Sequence, residues 1–322
     1  MIDFRFHMVS LAAVLIALSV GIVLGAGPLN DNIGATITSE VNRLRADKEE
    51  LRRQLTREER AGEARESFER QVLPGVLAGE LEGARVAVVR LPESEDSAAR
   101  DLEETLEDAG ATVGPAVSVN AAWTAPGEEA DAARAEALRE ALRALGRPDS
   151  AQITLDSILG TVLGGRTVDV SPAPGAAQRA AAFEQLADAG LVSDDGELGD
   201  PSDLIVVLGG PVQGEPQDDP ADADPEAEDT ARGWVELAQA LDVRSSGVVL
   251  LAGDADAASG DVSPTTLARS DSGLSEGLST VDAPGTALGE AATVLALVEQ
   301  RDGDAGHYGV GADAASAIPV AP

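Results

Sequence analysis

The hydrophobic pattern of the chain begins with Met8 to Leu29, a run without a single charge in which only the hydroxyls of Ser10 and Ser19 interrupt the apolar side chains. About 20 such residues is the length a helix needs to cross ~30 Å of hydrocarbon, so the run predicts a membrane span. The signal-peptide cleavage sites near its end are poor, since a cut after Ala26 puts Leu24 at −3 and a cut after Gly27 puts Pro28 at +1, and the expectation is therefore a retained anchor. Ala13, Ala17, Gly21 and Gly25 recur every fourth residue. That small face is the kind that lets two membrane helices approach closely.

From about Asn30 the pattern becomes that of a charged helix. Ile37, Val41, Leu44, Leu51 and Leu55 alternate at spacings of four and three, with Lys48 in the one intervening seam position. This heptad spacing predicts a coiled coil over residues 30–72, short because the seam loses its apolar character at Glu58 and Gly62. Leu73-Pro74-Gly75 is read as the helix end. A close-packing membrane helix followed by a heptad seam predicts a parallel homo-oligomer.

Beyond residue 80 short apolar runs alternate with alanine- and leucine-rich helical patterns. Strands are expected at Ala84–Leu91, Ala111–Val119, Asp203–Leu208 and Gly247–Leu251, with helices near 94–109, 128–145, 150–163, 176–190, 230–241 and 285–300. Runs such as VVLLA do not alternate polar with apolar, which argues for a parallel sheet covered on both faces and against a transmembrane β-barrel. The fold class expected is α/β: a single transmembrane helix, a membrane-proximal coiled coil, then a doubly wound, mostly parallel domain over 80–310. Gln213 to Asp229 is acidic and has no large apolar residue, so a flexible loop is expected there. A second flexible segment is expected at 311–322.

Charge and composition narrow the function. The chain carries 57 acidic against 23 basic residues, a net charge of −34. Nucleic-acid phosphates would be repelled, so a nucleic-acid partner is not expected. Residues 1–7, with Arg5, form a tail expected on the cytoplasmic side, leaving the bulk of the chain extracytoplasmic. There is no cysteine, which removes thiolate nucleophiles and thiolate metal sites.

No nucleophile, base and orienting acid assemble in the sequence, so neither an enzyme nor a resident cofactor is expected. Gly209-Gly210-Pro211 after a strand reads as a turn. Asp254 and Asp256 offer two carboxylates for a hard cation, too few against a background of 57 acids. His307 in Gly306-His307-Tyr308-Gly309 has no ligand partner nearby in sequence and reads as a capping or surface residue.

The opening Phe4-Arg5-Phe6-His7-Met8-Val9-Ser10-Leu11-Ala12-Ala13-Val14, running into Gly21-Ile22-Val23-Leu24-Gly25, resembles the N-terminus of the actinobacterial MctB family. Ser279-Thr280-Val281-Asp282, Gly289 to Gln300 and Gly306-His307-Tyr308-Gly309 are similar to that family's C-terminal pattern. The resemblance implies a membrane or envelope protein of copper transport and copper homeostasis, proposed to act as an oligomeric channel. The family also resembles SteB-like proteins of cell separation, which implies an alternative: a non-transporting scaffold that binds an envelope partner through its coiled coil or α/β surface. Copper(I) sites draw on Cys, Met and His. The metal candidates under this resemblance are His7 and Met8, gathered by oligomerisation.

Overall fold

The computed structural model describes the chain apart from residues 1–3, 26–28, 115, 151, 167–171, 195, 197, 218–222, 256–258, 276 and 320–322. The side chains of residues 24, 29–38 and 194 also lie outside the description. The chain divides into two compact units, Met1–Arg65 and Glu66–Pro322.

In the first unit, α1 (Phe4–Gly25) has 22 residues, about 33 Å of helix at 1.5 Å per residue. It is long and apolar enough to cross a membrane, and none of the apolar window is buried within the chain. It begins four residues before the uncharged run, because nothing in Phe4 to His7 opposes helix. α2 (Leu29–Leu77) follows. It runs through Pro74, where a stop was expected. A proline this close to a helix end removes one of the last backbone bonds without ending the helix.

In the second unit the chain forms a mixed α/β fold on a mostly parallel sheet. Its strands are β1 (Arg85–Arg90), β2 (Thr112–Val113), β3 (Val117–Val119), β4 (Val192–Asp194), β5 (Leu204–Gly209), β6 (Val248–Ala252), β7 (Ser279–Val281) and β8 (His307–Tyr308). The order is β4-β3-β1-β5-β6-β7-β8, with β2 also on β1. Among the described residues every pair is parallel except β3 with β4. The strand expected over 111–119 is split in two; Gly114-Pro115 stands in its middle, and proline offers no N–H to a ladder.

The helices are α3 (Asp96–Asp108), α4 (Glu128–Ala144), α5 (Leu155–Leu163), α6 (Ala176–Asp188), α7 (Pro225–Asp242), α8 (Pro264–Ser270), α9 (Ser272–Ser275) and α10 (Ala287–Asp302). They cover both faces of the sheet. Val86, Val88, Leu204, Val206, Leu208, Val249 and Leu251 pack with α3, α10 and Leu77 at the end of α2. Ala87, Val89, Ile205, Val207, Val248 and Leu250 pack with α4 to α8. Strands buried on both sides need apolar residues at every position, which is why the central runs do not alternate.

The acidic segment 213–229 is only partly a loop. Pro225 opens α7, and the Asp224 carboxylate accepts from the N–H groups of Glu226 at 2.9 Å and Glu215 at 2.7 Å. Proline at the first helical position and acids in the first turn both favour a helix start, so composition alone misjudged these residues. Residues 313–316 of the expected tail are likewise tied down. Ala315 donates to the His307 carbonyl at 2.9 Å, and Ser316 accepts from Gly309 at 3.0 Å.

Leu208 is fully buried near the C-terminal end of β5. Leu208→Ala is expected to cost about 2–5 kcal/mol. Denaturant unfolding followed by circular dichroism checks this, and an unchanged midpoint would contradict the packing described.

Candidate functional site

His7 and Met8 are both exposed on the first turns of α1. Successive helical residues point about 100° apart, so within one chain these two donors diverge. Ala13, Ala17, Gly21 and Gly25 are exposed on the same helix. A Cβ added at Gly21 or Gly25 would meet nothing within 4 Å, so nothing in the chain's own packing requires glycine there. Ser19 Oγ donates to the Leu15 carbonyl at 2.8 Å, so its hydroxyl proton is spent inside the helix.

On α2, Leu44, Leu51 and Leu55 are 60–64% exposed and Val41 39%. The described residues leave these side chains largely uncovered. Ile37 lies on the helix, but its side chain is outside the described ones. The charged neighbours are engaged along the helix, as in Arg53 to Glu50 at 2.8 Å. Such exposed pairs contribute little to stability.

The C-terminal stretches singled out from the sequence come together at the edge of the sheet. β7 carries Ser279-Thr280-Val281 and leads into Asp282; β8 carries His307-Tyr308 and pairs Thr280 with His307. Arg269 of α8 lies across both strands with its side chain 2% exposed, facing an Asp282 side chain that is 0% exposed. Its Nη1 donates to Asp282 Oδ2 at 3.0 Å and Asp313 Oδ1 at 2.8 Å, and its Nη2 to the Tyr308 carbonyl at 2.7 Å. Asp282 also accepts from the N–H groups of Val310 at 2.6 Å and Gly311 at 3.0 Å. A buried charge pair is tolerated only when its remaining hydrogen-bonding capacity is met in this way.

The same packing explains both glycines of Gly306-His307-Tyr308-Gly309. A Cβ on Gly309, whose φ is +132°, would lie 2.0 Å from Asp282 Oδ1, and one on Gly306 would lie 2.1 Å from the Tyr308 hydroxyl. The Tyr308 hydroxyl in turn donates to Glu299. Burial, reinforced by Glu299, holds the phenol protonated well above its ordinary range.

Arg269 Nε donates to Thr280 Oγ1 at 2.8 Å, and the same hydroxyl shares a hydrogen bond of 2.9 Å with His307 Nδ1. One ring nitrogen of His307 is thereby engaged within the fold. Burial, and then the positive Arg269, push the imidazole below its ordinary value. The shift favours the neutral ring, held in place by Thr280.

Asp254 lines a cavity of 630 Å³ beside Asp313, Ser263 and Leu267. Burial, then Asp282 and Asp313, raise its carboxyl above the usual range. Asp256 lies outside the described residues, and among those described no group of three His, Asp or Glu side chains is arranged to hold a metal ion. Gly209 and Gly210 close the sheet where the strand order reverses beside β1, the usual ligand crevice of open α/β sheets. A Cβ on Gly210 would lie 2.3 Å from the Glu93 carbonyl, so backbone fills that crevice.

Two outcomes are expected here. Asp282→Asn leaves the Arg269 charge without its buried partner and is expected to destabilise the fold by about 3 kcal/mol, read as a lower thermal midpoint. His307 binds a proton less readily folded than unfolded, so its contribution to stability is complete above about pH 6.5 and falls as pH drops from there through the lowered folded pKa. Thermal unfolding between pH 7 and 5 should show a shallower pH dependence in His307→Gln; an identical slope would contradict the assignment.

The chain matches the family described as "Copper transport outer membrane protein, MctB" over residues 1–319. It is 30% identical over 331 residues to a protein named Copper transporter MctB from Mycobacterium leprae, with 98% of each chain covered. It is 28% identical over 335 residues to a protein of the same name from Mycobacterium tuberculosis, again with 98% of each covered. With an N-terminal helix able to span a bilayer and a match along nearly its whole length, the chain belongs to the MctB family of membrane proteins.

Proposed function

We propose that this protein acts in copper homeostasis from a membrane, as a single-pass, parallel homo-oligomer. In this reading α1 anchors the chain with residues 1–7 cytoplasmic, α2 associates as a coiled coil, and a doubly wound α/β domain stands on the extracytoplasmic side. The observation that carries the copper role is the 98% coverage in the match to relatives named copper transporters. Assembly supplies what one chain lacks. Parallel packing through Ala13, Ala17, Gly21 and Gly25 would gather several copies of His7 and Met8 at one membrane surface, and imidazole and thioether are ligands that copper accepts.

A second reading is favoured by the chemistry of α1. A water-filled path needs polar groups along its wall. The uncharged run holds only two hydroxyls, and that of Ser19 is spent on Leu15. The alternative is a non-transporting scaffold, a regulator of cell-wall remodelling and cell separation that binds an envelope partner through α2 or the α/β surface.

Copper titration of the full-length protein in detergent, with oligomeric mass measured on the same sample, separates the two. The copper reading expects an oligomer whose binding weakens at least tenfold in the His7→Ala/Met8→Ala double variant. A defined oligomer that binds no copper favours the scaffold. A monomer unaffected by Leu44→Glu/Leu51→Glu would contradict both.

A further inference from the structure

The C-terminal part of α2 shows two different faces. Glu66, Arg70, Leu73 and Leu77 turn toward the α/β unit. Glu66 accepts from the Ala287 N–H at 3.1 Å, Arg70 donates to the Gly285 carbonyl at 3.0 Å, and Leu77 is buried in the core. On another side of the same helix Phe68, Val72 and Val76 form an apolar stripe at every fourth residue, 64%, 40% and 60% exposed. Three large apolar side chains on an otherwise charged, exposed surface call for a partner.

We propose that this stripe is covered by the same stripe of a second copy of the chain, packed parallel and in register as a dimer. The proposal rests on the oligomer reading above and extends it across the interval where the seam loses its apolar character. Val72 and Val76 stand three whole heptads beyond Leu51 and Leu55, so they resume the same two seam positions after the polar interval of Glu58, Gly62, Arg65 and Glu69.

The charges beside the seam choose the orientation. Glu40 and Asp47 flank it on one side, and Arg45 and Arg52 on the other. In a parallel pair each flanking residue meets the opposite flank five residues further along the second copy, so Glu40 meets Arg45 and Asp47 meets Arg52. An antiparallel pair sets acid against acid and arginine against arginine. Within their own helix Glu40 and Asp47 lie 3.6 and 4.0 Å from Arg43, exposed contacts too weak to hold them back. Val41 with Leu44 and Leu51, interrupted by the single Lys48, is also the seam composition of two-stranded coils.

The chain has no cysteine, so single cysteines report this geometry directly. Leu51→Cys and Val72→Cys, each in the full-length protein in lipid nanodiscs, are oxidised mildly alongside the outward-facing controls Arg53→Cys and Gln71→Cys. Disulfide-linked dimers at both test positions, at least fivefold above the controls, are expected. Cross-linking at 51 without 72 overturns this proposal and leaves the oligomer reading standing. Cross-linking at neither overturns both. Cross-linking at 72 alone, or to a protein of another mass, contradicts the shared register and overturns the proposal.

Discussion

The apolar window of α1 is left wholly unburied by the described residues, and much follows from that. Twelve large apolar side chains between Phe4 and Val23 are exposed. At about 1.5–3 kcal/mol for each side chain withdrawn from water, leaving them wet would cost on the order of 20 kcal/mol, more than a typical domain's entire net stability. A bilayer removes that cost. A helix of this length and composition is able to sit in lipid, in keeping with a family of membrane proteins.

The α/β unit solves a different problem, which is to close the edge of a sheet with short, polar strands. β7 and β8 are brief, and a guanidinium reinforces their backbone pairing. Arg269 ties α8 to both strands and to Asp313. Asp282 collects the backbone N–H groups that follow β8. Residues that attract notice in the sequence as candidate chemistry, His307 above all, are thereby accounted for as structure. Among the described residues most of the exposed large apolar side chains then lie on α1 and α2, and this directs the functional reading there.

The legible parts of the sequence were the long ones. The uncharged run from Met8 and unbroken apolar strands such as Leu204–Gly209 each carry a signal that neighbours cannot hide. β4, β7 and β8 were not legible, because two or three residues with polar members have no period to read. The Arg269 clasp was hidden for another reason: its carboxylate partners lie 13 and 44 residues away in the chain. Only the fold brings them together. Val72 and Val76 are hidden in the sequence because Glu58, Gly62, Arg65 and Glu69 separate them from Leu55, and exposure is what distinguishes them, with Phe68, from core residues. The start of α7 was obscured by its own acids, which suit a helix N-terminus but resemble disorder in composition.

The account makes attachment to the membrane central and treats the α/β unit as something held in place by it. The most direct test compares copper content in cells lacking the protein with that in cells given back either the full chain or a chain without residues 1–28, carrying a cleavable export signal so that it reaches the same compartment. The account predicts that loss of the protein raises cellular copper, that the full chain restores it, and that the anchorless chain does not. Full restoration by the anchorless chain, or copper content indifferent to the protein altogether, would contradict it.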